Sequence, residues 1–178
     1  DLIHENTQKL LRIIDDVVNI SKIESGQEQM VAMEFELNLV LTENVERYRL
    51  DLKPGVEMRT QFASEAQLIT TDLNRFNEII KHLLSNATKF TDHGFIEVGY
   101  AAPAAGRIRI WVRDTGKGIA EQHLDKVFER FFKVDEFIPG AGLGLSICQT
   151  MAESVGGKVS VESRLGEGST FTLEIPVK

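Results

Sequence analysis

The first 25 residues have a helical hydrophobic pattern that differs from the rest of the chain. Two series of residues repeat every seven positions and are offset by three: Ile3, Leu10 and Val17, and Asn6, Ile13 and Ile20. This spacing predicts one long amphipathic helix with a coiled-coil-like seam, which Leu11, Ile14 and Val18 widen. A stripe of this width suits a four-helix bundle, and the alternative is a helix that lies on its own domain. Gly26 is expected to end the helix.

From about residue 33 the pattern changes to short strands that alternate with amphipathic helices. The predicted strands are 34–37, 56–62, 67–71, 95–101, 107–113, 158–163 and 170–177. The predicted helices are 38–50, a long helix that Asp72 caps and that runs to about residue 91, 120–128 and 143–155. Together they predict an α+β fold, namely a two-layer α/β sandwich with a mixed sheet and helices on one face, preceded by the amphipathic helix.

Composition and charge exclude several classes of protein. Among the 178 residues, 42% are hydrophobic and 26% are charged, which is typical of a globular chain. A net charge of −7 argues against nucleic-acid binding by phosphate attraction, and no apolar run reaches the length of a membrane helix. The single cysteine, Cys148, excludes an internal disulfide and a cysteine-built metal site. Because the chain begins at Asp1 without a methionine, it is expected to be a piece of a longer protein.

The segment DTGKGI, residues 114–119, directly follows a predicted strand. Gly116 and Gly118 have no Cβ, so a flat ligand can approach the backbone there. The carboxylate of Asp114, at the end of the strand, can accept a hydrogen bond from an amino group. Taken alone, this pattern is also a common turn, and a structural role is the alternative.

Two further segments carry residues suited to phosphate. GAGLGL, residues 140–145, opens a predicted helix, where free N–H groups and the helix dipole favour an anion, although a flexible hinge is the alternative. In HLLSNATKFT, residues 82–91, Asn86 offers an amide oxygen to a cation such as Mg²⁺ and Lys89 offers a cation to phosphate. Taken singly, both side chains also have ordinary structural roles.

In this order the segments resemble the catalytic and ATP-binding domain of sensor histidine kinases, part of the superfamily of gyrase-type, chaperone and mismatch-repair ATPases. HLLSNATKFT resembles the N box, DTGKGI the first glycine box, VFERFFKVD the phenylalanine box, GAGLGL the second glycine box and GEGSTFTLEIP the closing segment. The resemblance implies a Bergerat-type ATP-binding fold over residues 34–178. LLRIIDDVVNISKIESG resembles the second helix of the dimerisation hairpin, so residues 1–26 are expected to form that helix and 27–33 a linker.

The resemblance implies a role for each matching residue. Asp114 is expected to receive the adenine amino group, with Gly116 and Gly118 making room for the base and Thr170 near it. Asn86 is expected to coordinate Mg²⁺ and Lys89 to contact the phosphates. The remaining expected nucleotide contacts are in the second glycine box and beside the lid, which spans about 134–141: Gly140, Gly142, Leu143, Gly144, Arg130 and Lys133.

Two departures from the family pattern affect the expected chemistry. The phosphoacceptor motif is absent, since no Arg-Thr-Pro follows His4-Glu5, and the chain alone is expected not to autophosphorylate. His82 occupies a position where the family usually has Asn, one helical turn before Asn86, so it is expected to face the same pocket. It can weaken Mg²⁺ binding, ligate the metal, act as a catalytic base, or only hydrogen-bond a phosphate or water.

The resemblance thus implies a domain that binds Mg-ATP and transfers the γ-phosphoryl group to a histidine outside this chain, and then to an aspartate of a response regulator. The expected partners are ATP, the dimerisation hairpin in a homodimer and a receiver domain, with no nucleic acid and no membrane contact by this chain. The expected location is cytoplasmic, as part of a membrane-linked receptor. The alternatives are an ATP-hydrolysing superfamily member that uses His82 as base and a degenerate nucleotide-binding scaffold.

Overall fold

The computed structural model describes residues 2–26, 29–134 and 142–177. In chain order the elements are α1 Leu2–Glu24, β1 Ala32–Glu36, α2 Leu37–Arg49, β2 Val56–Gln61, β3 Leu68–Asp72, α3 Leu73–Phe90, β4 Gly94–Tyr100, β5 Arg107–Asp114, α4 Glu121–Leu124, α5 Gly144–Ser154, β6 Lys158–Arg164 and β7 Gly168–Pro176. None of the helices in these ranges has the length and continuous apolar character needed to cross a bilayer. Gly140 and most of the expected lid, 135–141, lie outside the described residues.

Five strands form a mixed sheet in the order β2-β4-β5-β7-β6. β2 and β4 are parallel, and the other neighbouring pairs are antiparallel. The strands β1 and β3 form a separate two-stranded antiparallel sheet. The helices α2 and α5 both pack against α3, and α3 contacts β5. The predicted α+β fold, with a mixed sheet and helices, is confirmed.

The core follows the two periodicities seen in the sequence. Along β5, Ile108, Ile110 and Val112 are buried on one face, and arginines and the half-buried Trp111 alternate with them. On α3 the buried side chains recur at helical spacing: Phe76, Ile79, Ile80, Leu83, Leu84 and Ala87. Each large apolar side chain of this kind stabilises the fold by about 1.5–3 kcal/mol when fully buried. The buried core therefore provides a stable support for the loops at its edges.

Asp72 begins α3, as the sequence predicts. One of its carboxylate oxygens accepts a hydrogen bond from the backbone N–H of Arg75 at 3.0 Å. The other oxygen accepts the N–H of Val31, which precedes β1, also at 3.0 Å. The helix therefore starts at a fixed place relative to the segment that leads in from α1.

The helix α1 packs against α5 with only part of its apolar stripe. Ile20 is buried, and Ile13 and Ile23 pack against the core. The other described apolar side chains of the stripe are exposed: Leu10, Leu11, Ile14, Val17 and Val18. α1 therefore lies on its own domain along one edge and presents the rest of the stripe outward.

The predicted helix over 120–128 is wrong in length. The helix α4 has only four residues, Glu121–Leu124. The N–H of Lys126 then bonds the carbonyl of His123, and the N–H of Glu129 bonds that of Lys126, three residues back in each case. Such bonds form tight turns instead of an α-helix. In these turns Val127 is buried, although the preceding residues Asp125 and Lys126 are exposed.

Candidate functional site

The helix α3 contacts the first glycine-rich segment at its C-terminal end. The N–H of Lys117 donates to the carbonyl oxygen of Phe90 at 3.2 Å. A Cβ on Gly116 would lie 2.4 Å from the same oxygen, so only glycine fits there. The tight approach holds the loop after β5 against the end of the predicted N box.

The same helix contacts the second glycine-rich segment through His82. A Cβ on Gly144 would lie 3.3 Å from Nδ1 of His82, so the imidazole lies against the start of α5. His82 and Phe90 are eight residues apart, about 12 Å along a helix axis. Asn86 lies midway between them and is half-buried. α3 therefore connects the two glycine-rich segments.

Asp114 is a buried carboxyl group at the end of β5, with 6% of its surface exposed. Its Oδ1 accepts the backbone N–H of Gly116 at 2.8 Å. Burial raises the pKa of the Asp114 carboxyl, and hydrogen bonds from the backbone N–H groups of Gly116 and Ser169 oppose that rise. The group is thus a buried acceptor in a fixed orientation.

A cavity of about 410 Å³ opens beside this carboxylate. The end of β5, the turn between β6 and β7, and Leu124 of α4 form its walls. Leu124 and Val161 supply apolar surface, whereas Ser163 and Ser169 supply hydroxyl groups. The cavity is therefore mixed in character, with two apolar side chains among mainly polar and charged ones.

Glycine at positions 118 and 168 is required by the packing of the loop on the β6–β7 turn. Gly118 has φ +66°, and a Cβ there would lie 1.9 Å from the carbonyl oxygen of Arg164. Gly168 has φ +104°, and its Cβ would lie 2.0 Å from the carbonyl oxygen of Asp114. Both glycines therefore bring backbone against backbone, and contact between Gly116 or Gly118 and a base stays a prediction.

Ser169 shares a face with Asp114, and Thr170 does not. In the β5–β7 register Asp114 is opposite Ser169, whereas Thr170 is opposite Arg113. Successive side chains of a strand point to opposite faces, so Thr170 projects from the face away from the helices. Thr170 still lines the cavity. Ser169 is not among the residues predicted from the sequence, although the buried Phe171, two positions later, indicates the inward face.

Lys89, in the predicted N box, interacts electrostatically with Lys133. Burial lowers the pKa of the Lys89 ammonium, and the positive charge of Lys133 lowers it further. Two cations that repel one another in this way are suited to an anionic ligand, which relieves the repulsion. Arg130, the third predicted cation, is exposed.

The residues that begin α5 combine loop and core roles. The N–H of Phe131 donates to the carbonyl of Gly142 at 2.9 Å, so the predicted phenylalanine box contacts the second glycine box directly. The side chain of Leu143 is buried, and its carbonyl accepts the N–H of Ile147 and the hydroxyl of Ser146. The N-cap residue of α5, Leu143, makes no side-chain capping hydrogen bond. Leu143 therefore leaves the first N–H groups of the helix to other partners.

Residues 71–178 match the family model described as histidine kinase-, DNA gyrase B-, and HSP90-like ATPase. The autoinducer 2 sensor kinase/phosphatase LuxQ of Vibrio vulnificus is 36% identical over 190 residues, which cover all of this chain and 22% of LuxQ. The chain thus spans about a fifth of the length of the curated relatives that it matches.

Two solved structures resemble the fold over different spans. Full-length ShkA in complex with AMPPNP superposes with a TM-score of 0.89 and 29% identity, covering 97% of this chain and 37% of ShkA. The catalytic domain of the histidine kinase ThkA superposes with a TM-score of 0.74 and 28% identity, covering 83% of this chain and 97% of ThkA's.

Proposed function

The chain belongs to the family of histidine kinase-, DNA gyrase B- and HSP90-like ATPases, and from that membership we propose that it is the ATP-binding catalytic part of a sensor histidine kinase. The observation that carries the proposal is the contact of α3 with both glycine-rich segments, through Phe90 at one end and His82 at the other. Residues 34–178 form the catalytic domain, residues 1–26 the second helix of a dimerisation hairpin and 27–33 the linker. Full-length ShkA matches 97% of this chain, whereas the isolated catalytic domain of ThkA matches 83%. This difference supports the division.

The base of the nucleotide binds in the cavity beside Asp114. A buried carboxylate that lines a cavity suits an amino group of the base. The apolar surface of Leu124 and Val161 suits the flat faces of a purine. The expected contact with Thr170 is less favoured than one with Ser169, since Ser169 shares the face of Asp114.

The phosphates bind between α3 and the start of α5. Lys89, Lys133 and Arg130 supply positive charge. Gly142, Leu143 and Gly144 bring the N-terminus of α5, where Leu143 makes no side-chain cap, toward the anion. Bound phosphate neutralises the charges of Lys89 and Lys133. Because this relieves the repulsion between the two cations, it makes phosphate binding more favourable. Gly140 completes the predicted set, outside the described residues.

Mg²⁺ is the cation expected with the nucleotide, and Asn86 would hold it. Within the described ranges no group of three or more His, Cys, Asp or Glu side chains is arranged to bind a metal. The half-buried Asn86 offers one amide oxygen, which fits a cation whose other ligands are phosphate oxygens and water. When bound, Mg²⁺ supplies neutralisation of phosphate charge. His82, one helical turn earlier, is expected on the same face of α3 and can affect that site.

The chain's own residues contribute positioning and charge stabilisation to phosphoryl transfer. Lys89 and the N-terminus of α5 orient the triphosphate. A histidine nitrogen on the other hairpin helix then attacks the γ-phosphorus, the bond to the β-phosphate oxygen breaks and ADP leaves. A receiver-domain aspartate accepts the phosphoryl group in the following step. The homodimer, the response regulator and the cytoplasmic location belong to this proposal.

Three measurements test the proposal. Calorimetry with ATP, with and without Mg²⁺, should show tighter binding with the metal, whereas a degenerate scaffold would bind weakly in both cases. Phosphate release by the chain alone should be slow and unaffected by His82→Asn, whereas an ATPase that uses His82 as base would lose turnover. A chimera that carries residues 34–178 in place of the matching LuxQ segment should autophosphorylate, and the Asn86→Ala chimera should not. A chimera that binds Mg-ATP but never labels its histidine would contradict the kinase assignment.

A further inference from the structure

The hydroxyl of Ser163, on β6, makes three contacts at the wall of the base cavity. It accepts the backbone N–H of Ile119 at 2.8 Å, in the loop that carries the first glycine box. It lies 2.8 Å from the carbonyl oxygen of Gly168 and 2.8 Å from the hydroxyl oxygen of Ser169. The sequence analysis did not single out this residue.

The number of protons available fixes the direction of these bonds. A serine hydroxyl has one proton and two acceptor positions. A carbonyl oxygen cannot donate, so Ser163 donates its only proton to Gly168. In the short contact between the two hydroxyls, Ser169 is therefore the donor and Ser163 accepts. The second acceptor position of Ser163 receives the N–H of Ile119.

This arrangement determines what Ser169 presents to the cavity. Because its proton is directed to Ser163, its oxygen is left as an acceptor. The backbone N–H of the same residue donates to the carboxylate of Asp114, so the two groups are adjacent on one wall. Asp114 and Ser169 thus present two neighbouring acceptors, which complement an amino group with two N–H bonds and repel a carbonyl oxygen.

We propose that Ser163 is a positioning residue that sets base specificity, by holding Ser169 as a hydrogen-bond acceptor beside Asp114 and so favouring a 6-amino purine over a 6-oxo purine. The inference rests on the proposed nucleotide binding and adds to it a residue that acts through another. Other contacts hold the loop in place independently of Ser163. The N–H of Gly166 donates to the carbonyl of Lys117 at 2.7 Å, and Gly118 packs against Arg164.

The test compares ATP with inosine triphosphate, in which a carbonyl oxygen replaces the amino group. In Ser163→Ala the hydroxyl of Ser169 loses its acceptor and can turn its proton into the cavity. We expect the ratio of the two dissociation constants, measured by calorimetry, to shift toward inosine triphosphate by about three- to tenfold, the range of one hydrogen bond. Ser163→Thr, which keeps the hydroxyl, should retain the wild-type ratio.

Epistasis distinguishes positioning from general structural support. Ser169→Ala should shift the ratio less than Ser163→Ala, because it removes an acceptor without supplying a donor. The double variant should match Ser169→Ala. Equal weakening of both nucleotides in Ser163→Ala, with an unchanged ratio, would overturn the inference.

A measurement on the unaltered chain covers the case in which Ser163→Ala does not fold. With two acceptors on the wall, N6-methyl-ATP and N6,N6-dimethyl-ATP should bind progressively more weakly than ATP. N6-methyl-ATP that binds as tightly as ATP would contradict the inference, since one acceptor would then suffice. Failure of the chain to bind any nucleotide would instead contradict the proposed function.

Discussion

Asp114→Asn is expected to separate ligand affinity from fold stability. The change keeps the size of the side chain and removes its charge, while an amide nitrogen replaces one acceptor oxygen. The amino group of the base then meets a donor, or the amide turns and meets the N–H groups of Gly116 and Ser169. Loss of a charge-assisted hydrogen bond costs about 1.5–3 kcal/mol, which is roughly 10- to 150-fold in affinity for Mg-ATP.

The effect of Asp114→Asn on stability should have the opposite sign at neutral pH. Burial raises the pKa of the Asp114 carboxyl above its ordinary value of 3.8, so the folded state holds that proton more tightly than the unfolded chain does. The contribution of this group to the free energy of unfolding is therefore complete below pH 3.8 and is lost as pH rises through the raised pKa. An uncharged residue does not incur this loss, so the variant should be no less stable than the unaltered chain at pH 7.

Calorimetry at pH 7 and urea unfolding at pH 4 and pH 7 measure the two effects. Asp125→Asn is the matched control, because it removes the same charge from an exposed position at the end of α4. The difference in unfolding free energy between Asp114→Asn and the unaltered chain should change in favour of the variant from pH 4 to pH 7. The reasoning would be refuted by unchanged Mg-ATP affinity, or by a stability difference that moves the other way with pH.

Three further changes test packing, charge and metal binding. In urea titrations, Gly168→Ala should lower the free energy of unfolding by at least about 2 kcal/mol more than Gly166→Ala. Both positions have a positive φ, but only position 168 has backbone atoms within 4 Å of the added Cβ. Equal losses in the two variants would contradict this. Lys89→Met should weaken Mg-ATP binding about tenfold or more, whereas Lys158→Met, with the same charge change on the opposite side of the sheet, should not. The pKa of Lys89 is lowered from its ordinary value of 10.5, so the Mg-ATP affinity of the unaltered chain should already decrease as the pH rises toward 10.5. A decrease of the same size in the Lys89→Met variant would argue against the contact. His82→Asn should increase the ratio of the ATP affinity with Mg²⁺ to the ATP affinity without it, since an amide oxygen suits this cation better than an imidazole nitrogen. An unchanged ratio would mean that His82 does not affect the metal.

Elements built on a long, regular pattern could be predicted from the sequence, and those built on tertiary contacts could not. The repeat of apolar residues along α3 and the alternation along β5 are local, and their bounds came within a few residues. The segment 120–128 has enough apolar residues for a helix, but Val127 is buried through tight turns, and Phe131 adopts a positive φ of 64° next to Gly142. That conformation depends on a contact with a distant segment, which no local pattern records.

The position of α1 shows the same limit. Its apolar stripe is visible in the sequence, yet only the structure shows that Ile20 is buried while Leu10 and Val17 are exposed. Bundle formation and docking were both open interpretations. One edge of the stripe docks on the domain and the other edge is exposed. The width of the stripe is therefore compatible with both interpretations.

The Ser169 and Thr170 positions show what a motif can and cannot specify. A resemblance identifies the segment that lines a site, whereas the parity of a strand decides which of two neighbours faces the ligand. Parity was readable from the sequence, since Phe171, Leu173 and Ile175 alternate and Ser169 continues that series. The register that places Ser169 opposite Asp114 was not readable, because it depends on the close backbone approach at Gly168. The proposed recognition of the base therefore depends on sheet register as much as on the glycine-box residues themselves.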